Sequence, residues 1–301
     1  MKILLFGRNG QVGGELQRSL APLGEVVALG SSGADGLAGD FADPQGVART
    51  VRELRPDVVV NAAAYTAVDK AESESDKAQQ VNAVTPGAVA EACKAVGAWT
   101  IHYSSDYVFD GSGTRPWRED DPTGPLNVYG RSKLAGEQRI VAANPRHLVL
   151  RTSWVYAARG GNFIATMLRL ARERETLTVV DDQVGAPTGA ALIADVTAQA
   201  LPLLLAGRAP AGIYHLAAAG ETSWHGYARF VLQQAAEAGV ALRAGPDRVQ
   251  PVPSSAFVTA ARRPHNSRLD TSRFRAAFGL ELPSWEAGVR SVLPALLEAP
   301  R

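Results

Sequence analysis

The chain has 301 residues, 46% hydrophobic and 20% charged, an ordinary globular composition with ample apolar material for a core. Its 31 basic and 30 acidic residues leave a net charge of +1, which argues against a broad nucleic-acid footprint or an anionic-membrane binder. A single cysteine, Cys93, rules out a disulfide framework and a four-cysteine zinc site, and it fits a reducing, cytoplasmic setting. Lys2 followed by Ile3–Phe6 is too short an apolar run for a signal peptide, and no stretch approaches the ~20 apolar residues that span a bilayer. No membrane partner is expected.

Lys2–Phe6 reads as a buried strand ending in glycine, followed by a glycine-rich turn and a helix over Glu15–Ala21. Glu25–Leu29 is a second strand. Asp43-Pro44, a cap residue and a proline at the first helical position, opens a helix running to Leu54. Asp57–Asn61 is a third strand, and Ala67–Val96 a helical stretch broken near Thr85-Pro86. Trp99–Ser104, a helix within Leu126–Ala142, and the strand His147–Trp154 continue the alternation. The second half predicts helices at Asn162–Arg174, Gly189–Leu205, Ser223–Ala238 and Trp285–Leu297, with strands at Leu177–Val180 and Gly212–Ala217. Gly245–Pro264, rich in proline and small residues, reads as loop. Alternating strands and helices predict an α/β fold, a Rossmann-type doubly wound parallel sheet with a smaller C-terminal lobe. The division expected is a nucleotide-binding domain over 1–155, completed by segments near 187–218, and a substrate lobe formed mainly by 156–186 and 220–285.

The turn Gly7-Arg8-Asn9-Gly10-Gln11-Val12-Gly13 joins the first strand to a helix. Small residues there let the backbone approach a pyrophosphate, and the helix N-terminus presents free N–H groups to it. An acid at the end of the second strand would bind the ribose hydroxyl of NAD; here the strand ends Leu29-Gly30-Ser31-Ser32. Two hydroxyls and no acid favour NADP, although no arginine stands beside them in the sequence. Asp40-Phe41 can flank an adenine. Ala62, Ala63 and Ala64 close the third strand where open α/β sheets bind ligands. Tyr129 and Lys133 share a helix face at i, i+4, and Ser105 ends the preceding strand. A lysine ammonium is expected to lower the tyrosine pKa, letting Tyr129 protonate a carbonyl oxygen as a hydride reaches its carbon, with Ser105 bonding that oxygen. The five histidines show no metal-ligand spacing, so no zinc site is expected. Arg262-Arg263 is a candidate diphosphate contact.

Together these motifs resemble the extended short-chain dehydrogenases/reductases, with Ser105, Tyr129 and Lys133 matching that family's triad. Within it, His102–Gly111, Pro125–Gly130, Arg151–Tyr156, Asp182–Thr188 and Arg262–Ser267 resemble the dTDP-4-dehydrorhamnose reductases across nearly the whole chain. The resemblance implies reduction of a dTDP-linked 4-keto-6-deoxy sugar by NADPH, with NADH possible. It implies sugar contacts from Ser105, Asp106, Tyr129 and Trp154. Gly10, Gln11, Val12, Gly30, Asp40, Phe41, Ala64, Tyr65, Thr66 and Tyr103 would line the cofactor. Tyr107 stands where related 4,6-dehydratases carry a glutamate, which favours plain ketone reduction. Another sugar-nucleotide reductase or an epimerase on the same fold, and a non-catalytic NADP-binding regulatory subunit, are the rival readings. Relatives that dimerise through a metal use an acid where this chain has Ala191, so no such metal is expected; monomer and homodimer both stay open.

Overall fold

The computed structural model describes residues 1–298. β1 (Lys2–Phe6), β2 (Glu25–Leu29), β3 (Val58–Asn61), β4 (Trp99–Ser105) and β5 (His147–Thr152) form one parallel sheet with a sixth strand, Gly212–His215. The order across the sheet is Gly212–His215, β5, β4, β3, β1, β2. The connection reverses between β1 and β3, which opens a crevice at their carboxyl ends. Register pairs Phe6 with Asn61, Asn61 with His102 and Ser105 with Thr152, so these strand ends lie side by side.

Near-continuous apolar strands such as Ile3–Phe6 and Val58–Val60 are buried on both faces, as a sheet covered by helices on both sides requires. Helices Gln11–Leu20 and Ala190–Leu205 pack with Ile3, Leu5, Val58, Val60 and Ile101 on one face. Helices Pro44–Leu54 and Thr85–Val96 pack with Leu4, Phe6 and Val59 on the other. A separate apolar cluster joins Tyr156, on the short strand Val155–Tyr156, to Ile164, Leu168, Tyr227, Val231, Trp285 and Val289 from the helices Phe163–Glu173, Trp224–Glu237 and Trp285–Glu298.

Three expectations from the sequence are corrected, and one helix is added to them. The first helix starts at Gln11 rather than Glu15, because Gly10 caps it and Gly13 lies tight against the glycine turn. The Ala67–Val96 stretch breaks after the short helix Val68–Ala71, near Ser73, while a π-helical turn, Gln80–Val84, runs unbroken into Thr85-Pro86; proline is tolerated there because it opens an α-helix. Within the expected loop, Val249–Val252 pairs in parallel with Leu177–Val180, an isolated two-stranded ribbon whose edge position tolerates Pro251. A further helix, Ser272–Phe278, buries Phe274 and Phe278 against Tyr214 and stops at Gly279, which has a left-handed φ of +63°. No helix among the described residues is long and apolar enough to cross a membrane.

Candidate active site

The crevice between β1 and β3 holds a cavity of about 270 Å³, lined by Gly7, Asn9, Gly10, Gly30, Ser31, Gly39, Asp40, Phe41, Ala62–Ala64 and Val81. Its floor depends on small residues. Gly7 has a φ of +84°, and a Cβ there would stand 2.5 Å from the Ala63 nitrogen. A Cβ on Gly13 would come within 2.1 Å of the Gly7 carbonyl oxygen, so the helix meets the turn backbone to backbone. Gly10, which lines the cavity, is the N-cap and carries no side-chain cap, so no side chain satisfies the first-turn N–H groups and they are available to an anion. A narrow glycine floor, free helix N–H groups and a buried Phe41 beside the alanines fit a dinucleotide.

The triad residues meet beside this cavity. Asn127 caps the helix Val128–Ala143 by accepting from Gly130 N at 2.8 Å, and its Nδ2 donates to the Arg262 carbonyl at 2.8 Å. Lys133, 2% exposed, reaches back to the end of β4, where Nζ donates to the Tyr103 carbonyl and lies 3.4 Å from His102 Nε2. Ser105 Oγ accepts from Tyr107 N at 3.1 Å and donates to Asp106 Oδ1 at 3.0 Å. Burial and the Asp106 charge push the Tyr129 phenol up to about 12, while the Ser105 hydroxyl opposes them. Burial pushes the Asp106 carboxyl up to about 6, with the Ser105 hydroxyl among the groups opposing it. Asp106 Oδ2 is buried with no hydrogen-bond partner, a costly state that a ligand hydroxyl would relieve. Burial lowers the Lys133 ammonium to about 8, and Glu137 counteracts it.

Two residues beyond β5, Trp154 adopts a φ of +48°, a strained conformation for a bulky side chain. Its indole stacks on Trp224 with ring centroids 3.7 Å apart. Trp224 in turn walls a cavity of about 740 Å³ that also touches Phe163, Gln183, Phe257, Arg262, Arg263 and His265. Arg263 donates to Asp69 at 2.6 Å, tying this cavity's rim to the short helix Val68–Ala71.

The RmlD substrate binding domain family matches residues 1–298. The dTDP-4-dehydrorhamnose reductase of Escherichia coli K12 is 55% identical over 296 residues, covering 98% of each chain. This chain belongs to the dTDP-4-dehydrorhamnose reductase family. A solved dTDP-4-dehydrorhamnose reductase from Clostridium acetobutylicum superposes with a TM-score of 0.90 at 32% identity, over 99% of this chain and 100% of that one. The Bacillus anthracis reductase, solved in complex with NADP, gives 0.87 at 34% identity, over 97% and 98%.

In this reductase-family chain most of the expected cofactor residues meet at one cavity, and several do not line it. Gln11 turns outward to the Gly161 carbonyl at 3.0 Å, Val12 packs on the core, and Gly13 supports the turn. The Tyr65 phenol donates to Glu74, and Thr66 is exposed beyond the alanines. The Tyr103 ring sits in the core with its hydroxyl 2.9 Å from Thr197, so only its carbonyl meets the triad. Lys133 was expected to lower the Tyr129 pKa; here Lys133 is engaged with Tyr103 and His102, and burial with Asp106 raises that pKa instead. Sequence reasoning missed Arg8. Its guanidinium donates to the Ala28 carbonyl at 3.2 Å, and its Nε lies 3.7 Å from where a Cβ on Gly30 would be. An arginine therefore does stand at the end of β2, brought there by the glycine turn. Trp224 is both a stacking partner and a cavity wall.

Proposed function

We propose that this protein reduces the 4-keto group of dTDP-4-dehydro-β-L-rhamnose with NADPH, NADH being a second donor, to give dTDP-β-L-rhamnose. The observation that carries the reading is the meeting of Ser105, Tyr129 and Lys133 at the end of β4, beside a glycine-floored cavity at the β1/β3 crevice. The sheet-bearing part serves as the cofactor half, and the cluster around Tyr156 and Tyr227 is the substrate lobe.

When bound, the reduced nicotinamide supplies a hydride to the sugar's C4. Gly7, Gly10 and the first turn of Gln11–Leu20 would hold the pyrophosphate, and Asp40, Phe41 and Ala62–Ala64 the adenine side. Arg8 and Ser31 favour a 2′-phosphate, which supports NADPH. Ser105 orients the ketone oxygen. Tyr129, a phenol well above neutral pH, donates its proton to that oxygen as negative charge develops there. Lys133 returns a proton towards Tyr129 and holds the nicotinamide ribose. Asp106 accepts from a sugar hydroxyl through its unpartnered Oδ2, and Trp154 packs its face on the hexose. The nucleoside diphosphate would lie in the adjoining cavity, where Arg262 and Arg263 offer charge-assisted bonds and Trp224 and Phe257 apolar surface.

The test uses NADPH deuterated at the transferred position and the dTDP-4-keto-L-sugar made in place by its dehydratase and epimerase. Proton NMR should show deuterium at C4 of a dTDP-L-rhamnose product. Deuterium-free product, or sugar returned at the ketone level, would support an epimerase and contradict the reading.

A further inference from the structure

One wall of the larger cavity is built by a three-way pairing. Val184 pairs with Ser223 on one side, where Val184–Gly185 and Thr222–Ser223 form an antiparallel ribbon, and with Asn266 on the other. The Val184 N–H donates to the His265 carbonyl and the Ser267 N–H to the Val184 carbonyl, each at 2.8 Å. Gln183 therefore stands between Trp224 and the run Arg262–His265, and it lines the cavity with them while only 8% exposed. Its amide has one consistent orientation. An indole N–H can only donate, so Trp224 Nε1, 3.2 Å away, fixes Oε1 as the acceptor. Trp224 is itself held by its stack on Trp154 and by Ser223, which caps its helix. The bond to Trp224 is the one side-chain hydrogen bond of Gln183 among the described residues, so both N–H donors of Nε2 are left for a ligand of the cavity.

The groups around that nitrogen select its partner. Arg262, Arg263 and His265 line the same cavity, and among the described residues no carboxylate does. The two acids just before Gln183 are turned to protein donors. Asp181 accepts from the Ser223 hydroxyl, and Asp182 accepts from the Ser254 N–H at 2.9 and 3.0 Å and from its hydroxyl at 2.9 Å. A wall with cations, a fixed amide donor and no carboxylate suits an anion whose oxygens only accept. We propose that Gln183 is a specificity-determining residue that donates through Nε2 to the diphosphate of the nucleotide sugar, in an orientation set by Trp224. The inference rests on the reading that this cavity takes the nucleoside diphosphate. The Trp224 N–H occupies the acceptor end of the amide, so the ligand meets only the donor end.

Two variants separate the two ends of the amide. Gln183→Glu keeps an acceptor for Trp224 and turns the donor end into a charged acceptor. Gln183→Met fills similar space and offers neither. The probe is dTDP, titrated by calorimetry into the purified protein, which needs no turnover. Affinity for dTDP is expected to fall about tenfold in Gln183→Met and about a hundredfold in Gln183→Glu, with the dissociation constant for NADPH unchanged in both. With the dTDP-4-keto sugar, the loss in Gln183→Met should appear in KM and leave kcat within about twofold. Gln183→Glu binding dTDP as tightly as Gln183→Met, or more tightly, overturns the proposal, because the acceptor for Trp224 is then what matters. Thymidine, which has no phosphates, should bind the wild type and Gln183→Glu alike in ligand-observed NMR. A loss as large as that for dTDP would put the donor on the base and overturn the proposal too. A wild type that shows this order of dTDP affinities but oxidises no NADPH counts against the proposed function and leaves the inference standing; one that binds no dTDP overturns both.

Discussion

Tyr129 and Asp106 stand side by side, and both are raised by burial. For Tyr129 the raised pKa keeps the proton on the phenol at neutral pH, the state a proton donor needs. Tyr129→Phe should lower turnover by about a hundredfold or more, in line with general-acid contributions of roughly 10²–10⁴, while the dissociation constant for NADPH measured by fluorescence stays unchanged. Asp106 binds its proton more tightly in the folded chain, at about 6, than its unperturbed value of about 3.9. Below about pH 4 it is protonated in both states and costs nothing. As pH rises from there to about 6 the unfolded chain gives up its proton first, so the native state loses up to about 3 kcal/mol, and the loss persists at neutral pH. Asp106→Asn should therefore raise the thermal midpoint at neutral pH and leave it unchanged near pH 4, while raising KM for the sugar nucleotide. An equal gain at both pH values would mean that the carboxylate charge is not the cost.

Among the elements, the helix Val128–Ala143 carries the largest chemical burden, and a buried pair anchors it. Arg151 on β5 grips Glu137 at 2.7 and 3.0 Å, with side chains 4% and 1% exposed. Glu137→Gln leaves the guanidinium buried without its counter-charge, and a loss of roughly 3–5 kcal/mol in urea unfolding is expected. The elements of this half were legible in the sequence because each strand is a short apolar run closed by glycine or polar residues, and Tyr129 and Lys133 fall on one helix face by spacing alone. Val249–Val252 was hidden because its Pro251 and the prolines and small residues around it resemble loop; its pairing with Leu177–Val180 is a tertiary fact. Ser272–Phe278 did leave a signal, Phe274 and Phe278 one turn apart before Gly279, in a segment to which no element was assigned. Arg8 was invisible as a cofactor residue because only the folded turn carries it across to β2. Arg8→Ala should lower kcat/KM for NADPH about tenfold relative to NADH, the worth of one charge-assisted bond; an unchanged ratio would remove Arg8 from cofactor choice.

At the scale of the whole molecule, two separate cavities stand out among the described residues. The glycine-floored one lies over the sheet and the larger one lies among lobe residues, with Trp154 and Trp224 stacked beside the latter. Asn127, the N-cap of Val128–Ala143, donates to the Arg262 carbonyl, and Asp69 of the helix Val68–Ala71 accepts from Arg263. On the proposed reading one cavity would take the nucleotide sugar and the other the dinucleotide, since hydride transfer needs both ligands held in a reactive geometry. The most direct test is an absorbance assay with purified protein, the dTDP-4-keto-L-sugar and either NADPH or NADH. The account predicts stoichiometric oxidation of the cofactor, faster with NADPH, and dTDP-L-rhamnose as the product. Binding of both ligands with no cofactor consumed would contradict it.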